Sequence, residues 1–482
     1  MLIRHSIIYL IGRIIPGTVG VITLAVFTRL LSIEQYGHYA LIITTVGMFN
    51  TVFFQWLNLS LGRYLPVNED QPDTILSTAL IIYIGLILIT GLLSAAVILF
   101  LNKTWLNFIV ITLILSWAQS WFDLNLRISN SRLSPVLYGT LTSAKSLIAI
   151  CAGVLFFFSG MGFYGILAGL FLALLFPTLR VIGYWRGFSF LYYNHDLACK
   201  FIRYGSPLTL TFMLIFIVDA SDRFFIGWFN GANSVGIYAP AYDLAQQSIG
   251  MLMGIIHLAA FPLVLRALEE HGIETAEKQI KQNLVLLMGV ALPATVGLVM
   301  LSTTIAPVVL GPQFSKEAGS IIPVISVAIF FSGIRSYYFD YSFQLSKIVW
   351  GQMWVVFWAA LVNIALNLLW IPRYGLSGAA YATLAASVIA LITSAVLGKK
   401  VFRLPPPHRD TYKIIVACIM MGACLQLLAD WSGLIALILK IISGALVYII
   451  CCLILNIANV RSQLKNGLFS KKLYKPNNTK KN

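Results

Sequence analysis

Charge is scarce in this sequence. Asp, Glu, Lys and Arg make up 10% of its 482 residues, against about 25% in ordinary soluble domains. With 59% hydrophobic residues and a mean hydropathy of +0.86, that shortage excludes a soluble protein. Acid is the scarcer sign, 17 residues against 33 basic ones, for a net charge of +16. Cysteine is also sparse. Cys151, Cys199, Cys418, Cys424, Cys451 and Cys452 lie in or beside apolar runs with no C-x-x-C pair, which argues against zinc, redox or disulfide chemistry. The histidines are scattered, and no G-x-x-x-x-G-K-[ST] loop exists to hydrolyse nucleotide. Long polar stretches are missing as well. The longest run from about 185 to 205, 265 to 282 and 399 to 411, with a tail after 456. None has room for an extramembrane catalytic domain, so an enzyme is not expected. The N-terminus does not read as a cleavable signal, because Arg13 interrupts its apolar run and the run continues to about Leu31.

What remains is apolar sequence in runs of about 20 residues, each able to cross a hydrocarbon core of about 30 Å. The alternation of a β-barrel strand is absent from stretches such as Ile81 to Phe100. The fold class expected is an all-α polytopic membrane protein. Fourteen spans are read, at roughly 7–31, 37–62, 74–101, 105–127, 135–158, 162–184, 206–229, 235–260, 283–310, 318–343, 349–371, 376–398, 412–429 and 433–456.

The placement of Lys and Arg explains the net charge without nucleic acid as a partner. With the N-terminus inside, 24 of them fall in cytoplasmic segments and tail and 3 (Lys103, Lys316, Arg373) on the other side. That bias predicts two cytoplasmic termini, with the basic tail beside membrane lipids. The remaining six, Arg13, Arg29, Lys145, Arg223, Arg335 and Lys440, lie inside spans. Each would cost about 2.5–3.5 kcal/mol at a bilayer centre. Six facing lipid would cost on the order of 15–20 kcal/mol, as much as a whole domain's stability. Most must face protein or water.

The two halves resemble each other. Tyr36-Gly37-His38-Tyr39-Ala40 matches Val235-Gly236-Ile237-Tyr238-Ala239, and Phe163-Tyr164-Gly165-Ile166 matches Arg373-Tyr374-Gly375-Leu376. Each match is displaced by six spans. An even displacement implies repeats of the same orientation about an axis along the membrane normal. The expected organisation is an N-terminal six-helix lobe (1–184), a cytoplasmic linker (185–205), a C-terminal six-helix lobe (206–398), two further helices (399–456) and a basic tail (457–482).

Several segments also resemble a known family. They are N-I-A-L-N-L-L-W-I-P-R-Y-G-L-S-G-A-A-Y-A-T-L-A-A at 363–386, R-L-L-S-I-E-Q-Y-G-H-Y-A from Arg29, D-R-F-F-I-G-W-F…V-G-I-Y-A-P-A-Y-D-L-A from Asp222, and V-V-L-G-P-Q-F-S-K-E-A at 308–318. These look like the polysaccharide transporters of the multidrug/oligosaccharidyl-lipid/polysaccharide exporter superfamily. The resemblance implies two six-helix lobes in a V with two trailing helices. It implies alternating-access translocation of an undecaprenyl-diphosphate-linked oligosaccharide, an O-antigen or capsule repeat unit, from the cytoplasmic to the outer leaflet. It implies as further partners the polymerase and chain-length machinery of polysaccharide biosynthesis. Same-fold exporters of lipid II or of drugs, and a multi-span O-antigen polymerase, are the alternatives. A drug antiporter would expose acids to cationic drugs, whereas cations here rival the carboxylates within the spans.

Moving a pyrophosphate across hydrocarbon calls for ammonium or guanidinium groups in a polar cavity. Arg13, Arg29, Lys145, Arg223 and Arg335 are the candidates. Asp219, Asp222 and Arg223 share one helical face by spacing, so Arg223 is as readily an ion-pair member. Arg335 has Asp340 five residues on, about 140° round an ordinary helix, a poor position for pairing. Lys145 has no acid within a turn. Arg13, beside Pro16-Gly17, fits a helix break. Asp123, Asp219, Asp222, Asp243 and Asp340 are candidates either to pair these cations or to couple transport to H+ or Na+. No other cofactor and no metal site is expected. Asn363 and Asn367, four apart, fit interhelical hydrogen bonds. Tyr337, Tyr338 and Tyr341 are the candidates for glycan contact.

Overall fold

The computed structural model describes residues 2–67, 70–100, 105–132, 134–346 and 348–461. Lys103, Lys347, the tail 462–482 and the side chain of Arg13 lie outside the described residues. Among those described, the chain is helix and short turns with no strand. The helices are α1 (Leu2–Leu30), α2 (Ile33–Phe53), α3 (Gln55–Tyr64), α4 (Pro72–Phe100), α5 (Leu106–Ser131), α6 (Pro135–Phe156), α7 (Gly162–Leu175) and α8 (His195–Ala245). They continue with α9 (Met251–His271), α10 (Ile273–Val309), α11 (Pro312–Ile334), α12 (Tyr341–Leu345), α13 (Val349–Lys399), α14 (Arg409–Leu427) and α15 (Leu434–Ile454).

Nine helices among the described residues are long and apolar enough to cross a membrane, ten if α2 and α3, bent by 53°, count as one. The sequence led us to expect fourteen. The difference lies in hairpins and in α1, whose apolar part Ile14–Leu30 is shorter. Arg223 and Asp243 of α8 touch at 2.6 Å, although 20 residues of straight helix would separate them by about 30 Å. Gly231, at φ 83°, is where α8 reverses. Likewise a Cβ on Gly169 would lie 2.3 Å from the nitrogen of Gly153, and one on Gly378 would lie 2.4 Å from the carbonyl of Trp370. These contacts make α6–α7 and α13 hairpins, reversing at Gly160/Gly162 and at Gly375.

These two turns correct the register of the internal repeat. Gly162 (φ 53°, ψ −131°) and Gly375 (φ 56°, ψ −132°) have the same left-handed backbone. Three residues later, Gly165 and Gly378 each pack against the last carbonyl of the preceding leg, that of Phe156 and of Trp370. The repeated unit is therefore G-x-x-G, pairing Gly162 with Gly375 rather than Gly165 with Gly375. The shared Tyr-Gly pair falls at different points of the two turns. The other match stands and acquires a meaning. A Cβ on Gly37 would meet the carbonyl of Ala232 at 1.8 Å and the nitrogen of Gly236 at 3.1 Å. One on Gly236 would meet the carbonyl of Ile33 at 2.0 Å and the nitrogen of Gly37 at 3.1 Å. The repeat partners thus cross each other reciprocally, backbone on backbone.

Around this crossing the two halves share one core, in which Phe27, Leu31 and Tyr36 pack with Ile226, Tyr238 and Phe314. Arg29, exposed, lies at the edge of this junction. It donates to the carbonyls of Ala25 (2.7 Å), Val309 (2.8 Å) and Val308 (2.6 Å), tying α1 to the end of α10. Gly311 donates to Thr28 Oγ1 and Gln313 to the carbonyl of Leu31 across the same junction. At the opposite end α3 meets the start of α8, where Ser60 donates to the carbonyl of Phe201. The intervening linker is pinned to α4 by Ser77 and Thr78, which accept from the amides of Ser189 and Asn194.

Contrary to expectation, α1 runs unbroken through Pro16. Proline removes the donor to the carbonyl four residues back, here Gly12. Thr142 Oγ1 of α6 lies 3.2 Å from that carbonyl and shares its one proton between it and the carbonyls of Tyr138 (3.0 Å) and Gly139 (3.1 Å) of its own helix. A neighbouring helix thereby offers the freed group a donor, as membrane interiors require. Helices α14 and α15 pack on α10. Buried Lys440 joins all three, donating to Thr304 Oγ1 and to the carbonyls of Ala429 and Trp431.

Candidate substrate cavity

The second limb of α8 and the wider π-type turn that follows it, Gln246–Gly250, form a wall between two polar chambers. Chamber 1, about 240 Å³, is lined by Thr23, Tyr36, Tyr39, Lys145, Ser146, Arg223, Asp243 and Gln247 among others. Chamber 2, about 190 Å³, is lined by Asp219, Tyr242, Gln246, Arg335, Tyr337, Gln352 and Thr383 among others. Asp243 and Gln247 face one chamber, Tyr242 and Gln246 the other. A helix turns about 100° per residue, so neighbours along one limb can serve both sides.

Chamber 1 gathers two of the expected cations. Arg223 reaches across the hairpin to Asp243 at 2.6 Å and donates to Thr44 Oγ1 at 3.3 Å. It also lies 5.5 Å from the Tyr242 ring. Its partner is therefore not Asp219, despite their spacing of four on α8. The long guanidinium stem reaches round to the returning limb, while Asp219 faces chamber 2. Lys145 of α6 differs. Among the described residues it makes no ion pair to a carboxylate. Its ammonium donates to Gln119 Oε1 at 2.9 Å and sits 4.9 Å from the Phe122 ring centre. Gln119 in turn donates to both oxygens of Asp123 at 2.9 Å. Asp123 thus lies one amide behind Lys145, and neither Gln119 nor Asp123 is among the residues lining the chamber.

Chamber 2 holds Arg335, and here the expected geometry is corrected. Arg335 pairs with Asp340 at 3.1 Å, and Asp340 is fully buried. The turn Arg335–Phe339 is of π type, with the amide of Asp340 donating to the carbonyl of Arg335 five residues back. A π-type turn brings i and i+5 onto one face, which an α-helix would put about 140° apart. Ser394 and Gln352 donate to the same carboxylate. Of the three tyrosines, only Tyr337 lines the chamber. Tyr338 is buried, donating to the carbonyl of Pro405, and Tyr341 is buried beside His257.

Asp222 lies in neither chamber. It is buried between the limbs of α8 and α13, where Tyr238 and Thr383 donate to its Oδ2. Among the described residues its Oδ1 has no partner. Nearby on the same two elements, Ser221 and Asn367 both donate to Asn363 Oδ1. Asn363 thus takes the interhelical role expected of it, whereas Asn367 bonds within its own helix; among the described residues Asn363 Nδ2 and Asn367 Oδ1 have no partner.

Of the ten candidate charges, Arg13 has its side chain outside the described residues; the structure brings Lys145, Arg223 and Asp243 into one chamber and Asp219 and Arg335 into the other. It sets Asp123 and Asp340 behind them as counter-ions, Asp222 in a separate buried cluster, and Arg29 at the junction of the halves. Sequence reasoning missed the amides Gln119, Gln246, Gln247 and Gln352. Their signal was available, because a glutamine inside an apolar span requires a partner as a charge does.

A helical bundle of two similar halves around polar chambers, with two added helices, is the fold of the flippases and exporters of the multidrug/oligosaccharidyl-lipid/polysaccharide superfamily. A lipid II flippase MurJ in its inward closed conformation is similar over 93% of this chain and 99% of that one, with a TM-score of 0.75 at 17% identity. An inward-facing multidrug resistance MATE family transporter is similar over 81% and 97%, at TM-score 0.63 and 14% identity. A transporter of the same superfamily from Pyrococcus furiosus is similar over 83% and 94%, at 0.59 and 12%. At such identities these likenesses establish the fold.

Membership comes from the sequence. The family model described as polysaccharide biosynthesis protein matches residues 2–268, and that of lipid II flippase MurJ matches 138–456, each more than half of the chain. The chain belongs to the flippase family these overlapping models describe, the polysaccharide biosynthesis proteins together with the MurJ flippases. No curated protein matches it.

Proposed function

We propose that the chain flips an undecaprenyl-diphosphate-linked oligosaccharide, an O-antigen or capsule repeat unit, from the cytoplasmic to the outer leaflet by alternating access. The observation that carries the reading is Lys145, a cation facing a polar chamber with no carboxylate bound to it. An ammonium has three donors, and a diphosphate offers the acceptors. Arg223 beside it supplies a second positive centre already balanced by Asp243. Chamber 2, with its amides, hydroxyls and Tyr337, suits the sugars. A drug antiporter is disfavoured by the cation in chamber 1. Lipid II shares the diphosphate, and the match of the polysaccharide biosynthesis model to residues 2–268 favours the other glycan.

Both chambers are smaller than the roughly 300–1,000 Å³ of ordinary ligand sites, so an oligosaccharide enters only when the lobes part. Residues 1–184 and 206–398 are the moving lobes in this reading, with 185–205 as linker. In this reading, which the bias of Lys and Arg supports, both termini are cytoplasmic and the Gly37–Gly236 crossing lies on the outer side. Asp222 is the candidate for coupling to H+ or Na+, since its free Oδ1 can take either. Export by Asp222→Asn is then expected to stop responding to collapse of whichever ion gradient drives the wild type. An undiminished response would remove Asp222 from the mechanism.

The test of function is deletion in a cell with no second flippase. Lipid-linked oligosaccharide should accumulate on the cytoplasmic leaflet and surface glycan should vanish. Normal surface glycan would refute the proposal. Loss of long glycan with single repeat units still exported would point to a polymerase.

A further inference from the structure

The three half-buried cations around the chambers are held in two different ways. Arg223 and Arg335 each bind a carboxylate directly, at 2.6 and 3.1 Å. Lys145 instead binds the amide oxygen of Gln119, and the carboxylate of Asp123 stands on the far side of that amide. Gln119 and Asp123 are four residues apart on one face of α5, and Lys145 approaches from α6.

The orientation of the amide is fixed by its neighbours. Turned the other way, its NH2 group would face the ammonium and its oxygen the carboxylate, repulsive on both sides. So Oε1 must face Lys145, and the NH2 group is used by both oxygens of Asp123, each at 2.9 Å. The arrangement spends one of the three ammonium donors on Gln119. It keeps a counter-charge in the protein, which lowers the cost of placing the cation in the membrane. That counter-charge is held an amide's length away, where Coulomb attraction, falling as 1/r, competes less with an arriving anion.

We propose that Gln119 is a positioning residue for substrate: it holds Lys145 toward chamber 1 while insulating it from Asp123, so that the ammonium remains available to the diphosphate. The inference rests on the proposed role of Lys145 as a diphosphate ligand.

Moving the carboxylate tests it. Gln119→Glu puts a negative charge in contact with Lys145. The double variant Q119E/D123N restores the wild-type set of charges and hydrogen-bonding groups, with carboxylate and amide exchanged. The probe is farnesyl diphosphate, titrated onto the purified full-length protein in lipid nanodiscs, alongside Lys145→Gln. Wild type is expected to bind. Q119E and Q119E/D123N should each bind at least about tenfold more weakly, the loss of one charge-assisted hydrogen bond, and K145Q, which loses two, at least about a hundredfold more weakly. Asp123→Asn alone, which removes the distant negative charge and keeps the amide contact, should bind more tightly than wild type.

A residue that merely satisfied buried polar groups would let Q119E/D123N bind like wild type, and that result overturns the inference. If either Gln119 variant fails to accumulate, D123N decides, because weaker binding there contradicts insulation. A K145Q protein that binds as well as wild type, or a wild type that does not bind, defeats the reading of the chamber itself and the inference with it.

Discussion

Lys145→Gln is expected to reduce export at least about a hundredfold while leaving the protein folded in the membrane. The ammonium gives one of its three donors to Gln119 and, in the account above, keeps two for the substrate. A hydrogen bond to a charged group contributes about 1.5–3 kcal/mol, so losing two removes on the order of a hundredfold or more in binding. Folding should survive because no ion pair is broken. Asp123 keeps both its contacts to Gln119, and an amide at 145 can still donate to Gln119 Oε1. Arg223→Ala provides the contrast. It leaves Asp243, whose side chain is 34% exposed in chamber 1, without its partner at 2.6 Å, a loss between the ~1 kcal/mol of an exposed pair and the ~3–5 kcal/mol of a fully buried one. That variant should lose protein, not only export. Quantifying surface glycan against membrane protein level separates the two. Full export in K145Q would remove the cationic chamber from the mechanism.

Gly236→Val should prevent the two halves from closing where they cross, and Gly37→Val should do the same. A Cβ at either position falls 1.8–2.0 Å from a backbone carbonyl, so no rotamer change relieves it. Overpacking costs about 1–3 kcal/mol even where side chains can yield. A shift of about tenfold to a hundredfold toward a parted state follows. The reporter is Ala40→Cys, a position 3% exposed in the shared core, in a chain whose native cysteines are replaced. It should resist an externally added, membrane-impermeant maleimide in the wild-type background and react in the Gly236→Val background, with export falling in parallel. Unchanged labelling together with normal export would mean the crossing is not a seal that alternates. Because Arg29 clamps the same junction through three carbonyls, it contributes to that seal rather than to a substrate site.

The fold class was readable because apolar runs of membrane length leave few alternatives. The internal repeat was readable only in part. Gly37 and Gly236 appeared as a match because their neighbours also match. The equivalence of Gly162 with Gly375 was hidden, since a turn constrains only two glycines three apart and lets the Tyr-Gly pairs drift. In the candidate site, charge within an apolar span picked out Lys145, Arg223 and Arg335, because any such charge needs a partner or water. Partner identity was less accessible. Spacing on a regular helix favoured Asp219 for Arg223 and made Asp340 a poor partner for Arg335. Both inferences failed where the chain leaves regular helix, at the reversal of Gly231 and at the π-type turn Arg335–Phe339. Gln119 was invisible to a search for charge, because its role depends on standing between Lys145 and Asp123 from two different helices.

The most direct test of the central claim is a leaflet-resolved assay with the purified chain in proteoliposomes containing undecaprenyl-diphosphate-linked oligosaccharide. A glycosidase added outside reports which lipid is accessible. The account predicts that the pool protected in empty liposomes becomes accessible when wild-type protein is present and stays protected with K145Q. Protection unchanged by the wild-type protein, under the ion gradient that supports export in cells, would contradict it.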